Sequence, residues 1–134
     1  MSNRFIAVYG TLRKGYGLNS YLDKERAEFI GTEEIEGFKM YVFSPNGWSY
    51  PVLSRTDKKS DKVEVELYKL HDNVAGQRSA MSIDGIEYGA GYFSENVEIN
   101  GENYKIYLQD DDKLHRMHHV ESGNFNEYSG KYNR

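Results

Sequence analysis

The chain has 134 residues, a formal net charge of −4, 28% charged and 38% hydrophobic residues, and no cysteine. That size and balance fit one globular unit spanning 1–134, with a polar tail over 129–134 that has the composition of a flexible end. The missing cysteines exclude disulfides, thiolate metal sites and cysteine nucleophiles. The mixed charges offer no dense Lys/Arg cluster for nucleic acid, and no apolar run approaches the roughly 20 residues of a membrane span. Met1-Ser2-Asn3-Arg4 lacks the apolar core of a signal peptide, so cytoplasmic residence is the expectation.

In chain order, Arg4 to Tyr9 reads as a short buried strand ending at Tyr9-Gly10-Thr11. A glycine there permits strained dihedrals and close approach to a ligand. Successive N–H groups in such a turn can hold an anion or a developing oxyanion. Leu18 to Leu22 opens a short helix, and Ala27 to Ile35 is a strand broken by Gly31. Gly37 to Phe43 is a further strand, and Ser44-Pro45-Asn46-Gly47 marks a turn. Extended structure resumes over Tyr50 to Ser54. Lys62 to Leu70 alternates strictly, as a half-solvated strand does. Residues 71–85 form a weak helix. Tyr92 to Ile99, then Asn100-Gly101, then Glu102 to Leu108 reads as a hairpin on a type I′ turn. Asp110-Asp111-Asp112 can cap a short helix reaching His118. Strands dominate and regular strand–helix alternation is missing. The expected class is therefore α+β, a small mixed β-barrel with flanking short helices.

Glu87 is the carboxylate best placed for chemistry. It lies at a helix-to-loop junction among apolar residues and glycines, where desolvation raises a carboxyl pKa toward the range of a general base. A solvated loop glutamate is the bland alternative. His115 with His118 or His119, helped by Asp111 or Asp112, has the spacing of a zinc-binding helix face, although an exposed polar helix explains it as well. His71 at a strand end reads as a surface or capping residue. No Gly-x-Ser-x-Gly elbow and no P-loop ending occur. The 12 tyrosines suit half-buried strands and the walls of polar pockets.

Val8 to Gly15, followed by Asn19 and Leu22, resembles the opening Tyr-Gly-Thr/Ser-Leu motif of the gamma-glutamylcyclotransferase-like (AIG2-like) family. Gly37, Tyr41 and Pro51 are similar to its strand and proline segment, and Val65-Glu66-Leu67-Tyr68 to its Gly-Glu-Leu-Tyr strand. Asp84, Ile86, Glu87 and Tyr92 fall at the family's Leu-Asp-x-Leu-Glu-Gly and the tyrosine after it. Gly123-Asn124-Phe125 and Tyr128 are similar to its closing motif. The shared order spans roughly residues 5–128.

The resemblance implies a small mixed α/β barrel. It also implies cyclisation of a γ-glutamyl group to 5-oxoproline with release of an amine, using no cofactor and no metal. Glu87 would be the catalytic acid/base. Tyr9, Gly10, Thr11, Leu12, Pro51, Tyr92 and Tyr128 would bind the small γ-glutamyl substrate. The oligomeric state and the leaving amine stay open. The chain departs from the family pattern at several places: Val65 and Tyr88 each stand for a glycine, Ser94 for an arginine and Phe125 for a tryptophan, and residues 71–83 are a poor version of its Leu-rich helix. They keep two alternatives in view, a metabolite-binding module without turnover and an interaction domain with a Tyr-rich surface.

Overall fold

A computed structural model of the chain describes residues 4–43, 50–109, 118–120 and 122–124. Strand β1 (Phe5–Val8) is followed by a 3₁₀ helix over Gly17–Leu22, then β2 (Ala27–Glu36), β3 (Phe38–Phe43), β4 (Tyr50–Arg55) and β5 (Lys62–Leu70). Helix α1 (Val74–Gly89) leads to β6 (Phe93–Ile99), β7 (Glu102–Leu108) and β8 (His118–Val120). Five strands form one sheet in the order β2-β5-β1-β7-β6, and three form another in the order β4-β3-β8. The β1–β7 pair is parallel and the other pairs are antiparallel. Among the described residues the strands thus make two sheets rather than one closed barrel, which refines the expected architecture within the same α+β class.

The four apolar residues of β1 are consecutive because β1 is the central strand of the larger sheet, covered on both faces. Ala7 points into the core between the two sheets, with Phe38, Met40, Leu53 and Ile106. Ile6 and Val8 point the other way, into a second core with Leu22, Tyr68 and Ile83 beneath the 3₁₀ helix and α1. The order of layers is therefore small sheet, large sheet, helices. At about 25 cal/mol per Å2 of apolar surface removed from water, these two interfaces drive the collapse.

The hairpin forms as expected: Asn100 and Gly101 both have positive φ, 52° and 82°, as a type I′ turn requires. The break at Gly31 is a shift of register against β5 between Phe29 and Gly31, the signature of a bulge. Two expectations change. The strict alternation of β5 fails in its second half, where Glu66 and Tyr68 are buried with their neighbours because the 3₁₀ helix and the turn after β1 cover that face. The helix expected over 71–85 runs on to Gly89. Asn73 caps its start by accepting from the Gly76 N–H at 2.8 Å, and Gly91, at φ +93°, ends it with its N–H on the Tyr88 carbonyl at 3.1 Å.

The helix proposed after Asp110 lies mostly outside the described residues, but His118, its expected end, belongs to strand β8 on the edge of the smaller sheet. There Val120 pairs with Met40 and closes the intersheet core.

Candidate active site

The site lies where β1 ends. A turn closes there with the Arg13 N–H on the Gly10 carbonyl at 2.9 Å. A cavity of about 110 Å3 opens beside it, walled by Tyr9, Gly10, Thr11 and Leu12 of the turn, Pro51 of β4, Glu87 in the last turn of α1, and Tyr92. Seven of the eight residues expected at a ligand site thus converge on one cavity; the eighth, Tyr128, lies outside the described residues. Ala7, Val8, Leu18, Ile86, Ala90 and Tyr107 complete the wall.

Gly10 is needed for space rather than for dihedral freedom. Its φ is not positive. A Cβ at this position would overlap the Pro51 ring, so the turn packs directly on β4. The amides of Gly10, Thr11 and Leu12 donate to no described residue, and all three residues line the cavity.

Beneath the turn sits a polar network. The buried Arg13 guanidinium donates to Glu66 at 3.1 Å, to Glu64 at 3.1 Å and to Asn124 at 3.2 Å. Glu66 also accepts from the Lys14 N–H at 2.9 Å and from the Tyr68 hydroxyl at 3.0 Å. Asn19 donates to the Leu12 carbonyl at 2.7 Å and to the Tyr68 hydroxyl at 3.1 Å. Every strong polar group here has a partner, so the network rigidifies the turn. Sequence reading missed Arg13 as a structural residue. The signal was available: Glu64, Glu66 and Tyr68 share one face of β5 at period two, and an arginine fork suits paired carboxylates.

Tyr9 donates its hydroxyl to the Tyr107 carbonyl at 2.5 Å, and Tyr92 donates to the Pro51 carbonyl at 2.6 Å. Burial raises the Tyr9 pKa well above its ordinary value, with Tyr92 and Glu87 adding to the effect, so Tyr9 stays a neutral phenol. Glu87 is half-buried, and its carboxyl finds no hydrogen-bond or ion-pair partner among the described residues. Desolvation alone pushes its pKa from 4.5 up to about 7. A group that titrates there can take and return a proton near neutrality.

Tyr107 was not foreseen as a site residue. Its hydroxyl donates to Asp84 at 2.5 Å, and its ring meets Tyr88 edge-on with centroids 5.9 Å apart. Two positions that depart from the family pattern also meet: the Tyr88 hydroxyl and Ser94 Oγ are 2.9 Å apart. His115, Asp111 and Asp112 of the expected histidine cluster lie outside the described residues, and among the described residues no three His, Asp or Glu side chains converge. His119 packs on Tyr41 with ring centroids 5.2 Å apart, and His71 Nε2 lies 2.9 Å from the Lys24 carbonyl. Among those residues, no helix is long and apolar enough to cross a membrane.

Residues 6–131 match the family model described as gamma-glutamyl cyclotransferase, AIG2-like. The chain belongs to this family. It is 35% identical over 122 residues, 91% of this chain and 90% of the other, to PH0828 of Pyrococcus horikoshii, a protein named as a candidate gamma-glutamylcyclotransferase. The crystal structure of PH0828 superposes with a TM-score of 0.72, covering 98% of this chain and 97% of that one at 31% identity. An AIG2-like protein of Mus musculus shares the fold at a TM-score of 0.61 and 18% identity, with 90% and 88% of the two chains covered. The same fold occurs as part of a larger chain in Kluyveromyces lactis allophanate hydrolase. There the TM-score is 0.73 at 21% identity, with 98% of this chain and 22% of that one covered. An AIG2-like fold therefore serves both as a whole small protein and as one segment of a large enzyme.

Proposed function

We propose that this AIG2-like protein is a gamma-glutamyl cyclotransferase, with Glu87 as its acid/base. The observation that carries the reading is a carboxyl with a pKa near 7 in the wall of a small cavity, beside a turn whose amides donate to no described residue. The cavity, about 110 Å3, suits a group of ring size; a cavity of ~150 Å3 takes benzene. A γ-glutamyl chain folded there brings its α-amino nitrogen toward its own γ-carbonyl. Glu87 takes the ammonium proton, and the freed amine attacks the carbonyl carbon. The oxyanion is held by the amides of the Gly10–Leu12 turn. Glu87 returns the proton to the departing amine nitrogen as the C–N bond breaks, giving 5-oxoproline and a free amine. The attacking nitrogen gives up a second proton as the ring closes, and the same carboxyl passes it to the released amine, which leaves as an ammonium; two protons leave the attacking nitrogen and two arrive on the departing one, with no oxidant, metal or cofactor required. Folding the chain into a near-attack ring geometry supplies much of the rate.

The test is a mass-spectrometric assay of 5-oxoproline release from a panel of γ-glutamyl amines and peptides. Wild type should turn over at least one of them. Glu87→Gln should lose turnover by about 10²–10⁴-fold, the usual contribution of general acid–base catalysis, while retaining substrate affinity. No release from any member by wild type overturns the reading.

A further inference from the structure

Asp84 lies one helical turn before Glu87 on α1, at the spacing that puts both on one face. Its carboxylate spans two residues of β7. It accepts from the Tyr107 hydroxyl at 2.5 Å and from Lys105 Nζ at 3.0 and 3.2 Å. Tyr107 also lines the cavity, and its backbone carbonyl accepts the Tyr9 hydroxyl. Tyr88, next to Glu87, meets the Tyr107 ring edge-on. Asp84 and Tyr88 therefore grip Tyr107 from the same helix face that carries Glu87. The hydrophobic hold on α1 is thin by comparison: its buried residues are Gly76, Ser79 and Ile83. Past Ile83, a polar clasp substitutes for apolar packing.

We infer that Asp84 is a positioning residue of the site, fixing the last turn of α1 on β7 through Tyr107 and Lys105 so that Glu87 is held against the cavity wall. The inference rests on the reading of Glu87 as the acid/base, and extends it to how that residue is aimed. Without the clasp, the end of α1 lifts from β7, water reaches Glu87, and the desolvation that raises its pKa is lost. The groups that face Glu87 are Tyr9 from the turn, Tyr92 after the helix and Tyr107 from β7. Tyr9 and Tyr107 are held neutral by burial, so none of the pair competes as a titrating group near pH 7.

The experiment measures the pKa of Glu87 directly, by carbon NMR of protein carrying side-chain-labelled glutamate, with Glu87→Gln to assign the resonance. Wild type, Asp84→Ala and Asp84→Asn are compared, and thermal melting is recorded alongside. Asp84→Ala should move the Glu87 titration down by at least one pH unit from about 7. Asp84→Asn, which keeps an acceptor for Tyr107, should move it less and serves if the alanine variant does not fold. In the 5-oxoproline assay the same variants should lower kcat by about tenfold to a hundredfold, the scale of a misplaced catalytic group, and shift the acid limb of the pH profile with the NMR value. An unchanged Glu87 titration with a lowered melting temperature makes Asp84 merely structural and overturns the inference. Absence of turnover in wild type would overturn the functional reading alone, because the NMR titration needs no substrate.

Discussion

Replacing Glu87 by glutamine should make the protein more stable at alkaline pH. The native carboxyl titrates near 7 and its unfolded counterpart near 4.5, because folding strips water from the group and supplies no compensating partner among the described residues. A carboxyl whose folded pKa is raised binds its proton more tightly in the native state. Wild-type stability therefore falls as pH rises from about 4.5, and the penalty is complete once pH passes about 7. At about 1.4 kcal/mol per pH unit, the interval corresponds to an upper bound of about 3.5 kcal/mol. Water reaches part of this half-buried carboxyl, which brings the expected difference to about 2 kcal/mol. Glutamine resembles the protonated form and escapes the penalty. Urea unfolding at pH 5 and pH 8.5 reads the effect, since a slope of about 1–3 kcal/mol per M turns it into a midpoint difference of about 1 M. At pH 5, half a unit above the unfolded value, the variant should already lead by a fraction of the full difference, about 0.8 kcal/mol, and at pH 8.5 by the whole of it. Equal midpoints at pH 8.5, or a variant weaker at both pH values, would refute the claim that Glu87 is held desolvated and unpaired. The expected pattern is the stability cost of keeping a carboxyl desolvated without a partner.

Two further substitutions probe the scaffold of the site. Arg13→Met removes the cation from a buried cluster and leaves Glu66 without its counter-charge. It should cost about 3–5 kcal/mol in urea unfolding at pH 7. Gly10→Ala drives a methyl group into Pro51 and should cost about 1–3 kcal/mol. Because it also displaces the turn that faces the cavity, it should weaken substrate binding, read as a raised KM in the 5-oxoproline assay.

The sequence by itself determined the elements whose signals are local. Consecutive apolar residues in β1 and the Asn100-Gly101 turn are dictated by side-chain periodicity and backbone sterics, and each appears where expected, while the break expected at Gly31 is a register shift within a continuous strand. The order of motifs also placed Glu87 and the Tyr9–Leu12 turn in one site, and they do share a cavity.

Tertiary structure alone decided what depends on residues far apart in the chain. Alternation along β5 cannot reveal that the 3₁₀ helix covers Glu66 and Tyr68, because burial of a strand face is set by what packs on it. Helix α1 extends to Gly89, beyond the end suggested by its own weak pattern; Asp84 gains Tyr107 and Lys105 as partners only when β7 lies beside it. Gly10 reads in sequence as a place for strained dihedrals and close approach to a ligand, and is in fact a point of contact with Pro51, brought near by the packing of the two sheets. The raised pKa of Glu87 belongs to the same class. Its cause is the removal of water by the residues that gather around it, and that removal exists only in the folded chain.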